Sequence, residues 1–348
     1  MHMADALLSP VVGGAFWAIS AALIGYSAKK VALEADGSKT PLMGVLGAFV
    51  FAAQMINFTI PGTGSSGHLS GGLLLTLLLG PYRAFIALAS VLVIQSLFFA
   101  DGGLLALGCN IFNLAFFPAF VAFPFIYRII AGNCSSYGKR AAGSMTAAIA
   151  SLLMGACCVV LETTLSGISE LPFSTFLLFM LPIHLVIGIV EGLVTLAVVS
   201  FIMKTEPTLL APQLAASSKP RLTLALFTIA ALTLGGIISR FSSSLPDGLE
   251  WSMAKVSKQE KLHGRQDNVH DLFASLQNRT AFLPDYSFKI SPNVIDKTAL
   301  SASPVNPGTS VSGIVGSLSV LLLAGAAGFV LRKSLPNSQR GIANPRVK

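Results

Sequence analysis

Apolar positions in this chain gather into long uninterrupted runs instead of alternating with polar ones. Nine runs stand out, at roughly residues 11–28, 41–58, 70–80, 84–100, 103–130, 141–164, 174–203, 222–240 and 312–331. Most are long enough to predict helices that cross a bilayer. The third is too short to cross a ~30 Å hydrocarbon core as a helix on its own, so it is either re-entrant or continues through Pro81. The long seventh has length to tilt or to project from the membrane. The expectation is an all-α polytopic membrane protein with about nine transmembrane segments.

Connections divide the runs into two modules. Residues 1–204 have short connections and form the larger unit. Residues 205–220 mix Pro, Ser and Ala and read as a linker. Residues 221–348 form a two-helix hairpin around a polar insert at about 241–311. Within the insert, about 251–279 has helix-compatible spacing and the rest reads as loop. Small residues such as Gly13, Gly14, Gly44, Gly47, Gly325 and Gly328 recur in the apolar runs, where they permit close helix packing in lipid.

Composition agrees with a membrane protein. Hydrophobic residues make up 53% and charged residues 11% of 348, more apolar surface than a soluble domain can hide. The net charge of +8 has no basic stripe with interleaved aromatics, so it does not point to nucleic acid. It points to topology instead. Lys29, Lys30, Lys39, Arg83, Arg128, Lys139, Arg140, Lys204, Lys219, Arg221 and the cations from Arg332 onward fall on one side. The connections at 59–69, 101–102 and 165–173 carry no Lys or Arg. The positive-inside rule then places the N-terminus outside and the C-terminus in the cytoplasm, in a bacterial inner membrane. The start "MHMADALLSP" has no positive n-region, which argues against a cleaved signal peptide. Cys109, Cys134, Cys157 and Cys158 have no disulfide or zinc spacing and read as small hydrophobes.

The most distinctive polar stretch is "PGTGSSGHLSGG" from Pro61. Gly62, Gly64 and Gly67 spell a dinucleotide fingerprint, and Gly62 with Gly67 has the outer spacing of a P-loop. Both readings fail on context. His68 and Leu69 stand where a P-loop has its lysine and hydroxyl residue, and the preceding run is a membrane helix, not a strand of a βαβ unit. The stretch also lies on the external face.

The N-terminus gives His68 a different role. Aminopeptidases that remove Met need a small second residue, so His2 leaves a free Met1 amine. That amine, the His2 backbone nitrogen and His2 Nδ1 form five- and six-membered chelate rings around one ion. The set is nearly planar and leaves one equatorial position, which an imidazole can fill. Four nitrogens in a plane suit Ni(II) or Cu(II). His68 lies on the same face, framed by glycines that let the backbone approach and aim the ring.

Other polar residues sit inside the apolar runs. His184 and Glu191, seven apart, share a helix face, and Glu162 lies near the end of another helix. They read either as packing and partner contacts or as a proton relay. Gln54, Asn57, Gln95, Asn110 and Asn113 read as interhelical glue or as support behind a metal site. His263, Asp267 and His270 in the insert share a helical face, read as solvated with weak metal binding as the rival.

With these residues in view, the chain resembles the substrate-binding components of energy-coupling factor transporters for nickel and cobalt. It is most similar to the fused nickel form, where membrane core and accessory hairpin are one polypeptide. The matching stretches are "MHMADALLSP", "GTGSSGHLSGG", "LLLGPYRAFIALASVLVIQSLFFADGGLLALGCNIFN", "HLVIGIVEGLVT", "LPDGLEW" and "SGIVGSLSVLLL". The resemblance implies a seven-helix core and a two-helix accessory module, with the ion held by Met1, His2 and His68. Asp5 matches the opening motif as a supporting residue. It further implies a transmembrane coupling subunit and cytoplasmic ATPase subunits as partners, since this chain has no ATPase motif. No cofactor is implied; the metal is cargo, Ni(II) or Co(II). Two other classes remain open at this point: a proton-coupled secondary permease using His184 and Glu191, and a membrane metalloenzyme built on the same nitrogens.

Overall fold

The structure is a computed structural model that describes all residues except 35–38, 133–135, 207–219, 259–266, 290–306 and 334–348. The nine apolar runs all become helices, in the expected order. The larger module holds α1 (Pro10–Leu33), α2 (Thr40–Gln54), a hairpin of β1 (Phe58–Ile60) and β2 (Ser65–Gly67), α3 (Gly72–Leu79) and α4 (Pro81–Phe99). It continues with α5 (Leu107–Ala131), α6 (Tyr137–Ser166) and α7 (Phe173–Thr205). The second module contributes α8 (Pro220–Gly236), then α9 (Gly248–Ser257) and α10 (Asn268–Thr280) of the insert, then α11 (Pro307–Lys333).

Seven of these helices are long and apolar enough to cross a membrane, among the described residues. α2, with 15 residues, falls short of that length. α3 has only eight residues and is almost entirely buried in protein. At 1.5 Å per residue it reaches about 12 Å, well under a bilayer core. It does not run on through Pro81. Gly80 adopts φ +83°, a conformation glycine tolerates, and Pro81 starts α4 afresh in the first turn, where its missing N–H costs nothing. α4 is the most enclosed spanning helix and α1 the least.

The hairpin of the second module docks on α2. A Cβ on Gly44 would lie 2.6 Å from the Leu321 carbonyl oxygen, and one on Gly313 would lie 2.0 Å from that of Gly235. Backbones touch there, so glycine sets the helix separation at both crossings.

The insert folds differently from the sequence expectation. The stretch of helix-compatible spacing at about 251–279 holds two helices among the described residues, each begun by its own cap. Asp247 opens α9 in a reciprocal capping box with Glu250, and Asp267 opens α10 by accepting from the Val269 and His270 N–H groups. Nor is the insert a solvated loop. Its described residues lie across the end of the core that carries the β1–β2 hairpin, where Ser66 N–H donates to Pro246 O at 2.8 Å and Trp251 Nε1 to Thr63 O at 2.9 Å. Gln277 Nε2 donates to Gly102 O at 2.8 Å, and Tyr286 OH to the Asp101 carboxylate. His270, expected on a solvated face, is buried with Nε2 donating to Leu8 O at 3.0 Å. His263, Cys134 and residues 207–219 of the linker read at 205–220 lie outside the described residues.

Candidate metal centre

The first eight residues thread into the bundle. Met3, Leu7 and Leu8 are fully buried, and Met1 is 5% exposed, whereas a free N-terminus ordinarily frays. The Met3 main chain is pinned on both sides. Its N–H donates to Asn110 Oδ1 at 2.7 Å, and its carbonyl accepts from Gly103 N–H at 2.9 Å and Asn110 Nδ2 at 3.2 Å. Asp5 stands behind this segment, its Oδ1 accepting from Ala106 N–H at 2.9 Å. Burial raises the Asp5 carboxyl above the usual range. Asp5 therefore anchors the N-terminal segment and bonds no residue of the candidate centre.

The glycine-rich stretch becomes the tip of the β1–β2 hairpin, with Ile60 opposite Ser65 and Phe58 opposite Gly67. Gly62 and Gly64 both take φ +76°, which serves the turn and not a phosphate. His68 leaves β2 directly toward the N-terminus. Its Nδ1–H donates to Leu69 O at 3.0 Å, because a carbonyl can only accept. Nε2 is thereby left with a bare lone pair, 3.3 Å from the Met1 nitrogen.

His2 has its protonation set by a longer chain. Gln54 Nε2 donates to Ser70 O at 2.7 Å, so Gln54 Oε1 accepts from Gln95 Nε2 at 2.8 Å. Gln95 Oε1 must then accept from His2 Nε2–H, at 3.1 Å, which leaves the lone pair on His2 Nδ1. That is the tautomer a chelate with the Met1 amine needs. Nδ1 faces Asp101 Oδ1 at 3.3 Å, an approach that only a proton or a cation between them makes favourable. The rings of His2 and His68 lie 5.2 Å apart and within 20° of parallel.

The fourth wall comes from the second module. Asp247 uses Oδ1 to cap α9 and Oδ2 to accept from the Met1 amine at 2.8 Å. Burial alone would raise this carboxyl, but the amine and His68 beside it hold it well below the usual range. The same crowding acts in reverse on the imidazoles. Burial, then the amine and His2, push His68 from 6.5 down to about 3, and burial lowers His2 as well. Both rings therefore stay neutral and able to coordinate. An open cavity of about 610 Å³, lined by His2, His68, Asp101, Asp247, Glu250 and Tyr286 among others, leads to them.

The structure thus brings Met1, His2 and His68 together. Among the described residues no group of three or more His, Cys, Asp or Glu side chains is arranged to hold a metal. A centre here depends on main-chain nitrogens. Sequence reasoning missed Asp101 and Asp247. The capping pattern D-x-x-E marks Asp247 as a helix start, but nothing local tells that its other oxygen faces Met1. Gln54, Gln95 and Asn110 turn out to bond the N-terminal segment or its partners, and Asn113 reaches Met3 Sδ at 3.8 Å while tying α5 to α6 through Glu162 at 2.7 Å. Glu191 spends both oxygens on Ser70, accepting from N–H and Oγ at 2.7 Å each, and so clamps the chain just after His68.

Two family models match the chain. Residues 2–209 match CbiM, described as the cobalt uptake substrate-specific transmembrane region, and residues 221–333 match the PDGLE domain. The chain belongs to the CbiM family. A putative fused nickel transport protein NikMN of Archaeoglobus fulgidus is 34% identical over 341 residues, covering 96% of this CbiM-family chain and 98% of the relative. A probable fused nickel transport protein LarMN of Lactiplantibacillus plantarum is 28% identical, covering 93% and 96%. A crystal structure of a truncated transition metal transporter superposes with a TM-score of 0.52 at 31% identity, over 59% of this chain and 99% of that one. The Asp247 carboxylate thus belongs to the PDGLE domain, while the Met1 amine it faces directly precedes the CbiM match and His68 lies within it.

Proposed function

We propose that this chain is the substrate-binding component of an ATP-driven energy-coupling factor importer, and that it captures Ni(II) at the external face. The Met1 amine, the His2 amide nitrogen, His2 Nδ1 and His68 Nε2 form the ligand plane. The observation that carries this reading is the 3.3 Å approach of Met1 N to His68 Nε2 across 67 residues. Bonds of about 2.0 Å set neighbouring ligand nitrogens about 2.8 Å apart, so a small contraction around an ion completes that edge. Uphill movement requires a transmembrane coupling subunit and cytoplasmic ATPases, because the sequence carries no ATPase motif. The N-terminus and insert face outward and the C-terminus faces the cytoplasm, as the loop charges favour. Nickel is preferred to cobalt because the relatives matching along the whole chain carry nickel in their names.

One extra residue ahead of Met1 tests the site. It converts the amine into an amide and displaces the chelate, so high-affinity nickel binding by the purified full chain should disappear. Unchanged affinity in that variant would remove the proposed site.

A further inference from the structure

Beside Met1 and His68 lies a small cavity of about 10 Å³, lined by His68, His184 and Asp247 and by apolar side chains such as Leu114, Leu152 and Ile187. That volume is near the lower bound for one water molecule or one ion. His184 presents the same chemistry to it that His68 presents to the amine. Its Nδ1–H donates to Met180 O at 2.7 Å, so Nε2 carries a bare lone pair. Nε2 is fully buried and has no partner, in a residue only 1% exposed. A buried histidine fixed by one carbonyl, whose other nitrogen has no partner and which lines a cavity together with His68 and Asp247, is prepared for a ligand.

We propose that this cavity is a second, inner position for the transported divalent cation, held by His184 Nε2 and His68 Nε2. The inference rests on the assignment of the outer site to Met1, His2 and His68. His68 lines both spaces, so an ion leaving the outer plane exchanges the Met1 and His2 nitrogens for His184 while remaining bound to His68. Asp247 lines both as well and supplies negative charge throughout the transfer. Glu191 fixes the pivot by holding Ser70, two residues beyond His68. Imidazole nitrogen suits nickel and cobalt alike.

The test uses the full chain with an authentic N-terminus. His2→Ala disables the outer plane and leaves the inner cavity unaltered, since His2 does not line it. Titration of this variant with Ni(II) should show weaker one-to-one binding, and X-ray absorption should count two imidazoles on the ion. Adding His184→Gln should weaken that residual binding at least tenfold. Residual binding with fewer than two imidazoles, or none at all, overturns the proposal, and this reading needs no substitution at His184. The single His184→Gln variant should keep one-equivalent outer binding within about threefold, as a check on folding. Failure of the unsubstituted chain to bind nickel through four nitrogens would instead overturn the outer site.

Discussion

The Met1 amine and the Asp247 carboxylate lie 2.8 Å apart although 246 positions separate them in the chain. The bond joins the residue just ahead of the CbiM match to the Asp247 helix cap inside the PDGLE match. It also fixes the charge balance of the proposed site. Ni(II) would displace one proton from the ammonium and one from the His2 amide, so the net charge opposite Asp247 is +1 before and after. A buried pocket therefore never holds a bare dication, whose desolvation would cost several kcal/mol. Asp247→Asn keeps a competent helix cap and removes only the charge. Nickel affinity should fall by less than about tenfold (~1.4 kcal/mol), because the charge that Asp247 faces is the same before and after binding. Chelator competition measures the change, and a fall of about a hundredfold or more would show that the exchange does not conserve that charge.

The imidazoles should not set the pH dependence of binding. His68 is pushed down to about 3 and His2 is lowered, so both are neutral across the physiological range. Affinity should nevertheless rise with pH, because binding releases protons from the amine and the amide. Calorimetry in buffers of different ionisation enthalpy should count about two protons per ion where the amine starts protonated. A count near zero would exclude the amide as a ligand. Stability has its own sign. Between about 3 and 6.5 the unfolded chain binds a proton at His68 that the folded chain does not. The stabilisation from neutral His68 is thus complete above 6.5 and is lost as pH falls toward 3.

Gln95 sets the His2 tautomer, and its chemistry can be divided by substitution. Gln95→Leu removes the acceptor for His2 Nε2–H and also frees Gln54. Nickel affinity should fall about 10–100-fold, the usual cost of losing a partner behind a metal-binding histidine. Gln95→Glu retains an acceptor for His2 and should lose less. Titration of both variants decides the matter: equal losses would mean that Gln95 only fills space.

Much of the site was legible because its chemistry is local. A free amine, a second-position histidine and a glycine-framed His68 are written in two short stretches, and charge-poor connections put both on one face. The nine helices were legible because apolarity is continuous and needs no tertiary context. What was hidden is whatever depends on the insert. Its helices are amphipathic and short, and their polar faces bond the core, so residues such as His270 and Asp247 look solvated in the sequence. The end of α3 was also ambiguous, since "LLLGPY" is apolar throughout and only the left-handed Gly80 breaks it. Gln54 and Gln95 read as interhelical glue or as support behind a metal site, and they join α2 to α4 while holding His2; a side-chain amide gives no sign in the sequence of which partners it serves.

Gly103 gives the sharpest steric test of how the N-terminus is held. A Cβ at this position would lie 1.8 Å from Asp5 Oδ1 and 2.5 Å from the Asp5 backbone nitrogen. The carboxylate could rotate away, but the backbone nitrogen cannot, so Gly103→Ala must displace the N-terminal segment itself. Gly103 N–H also donates to Met3 O, and that bond would be broken by the same shift. The segment would leave its groove, carrying Met1 and His2 away from His68, while helices anchored by their own apolar faces stay inserted. The expected outcome is a membrane-inserted full chain that has lost high-affinity nickel binding. Asp5→Ala removes the carboxylate but not the backbone atom, so paired with Gly103→Ala it should not restore binding. Restoration in the double variant would show that the side chain alone, and not the packed backbone, fixes the N-terminus.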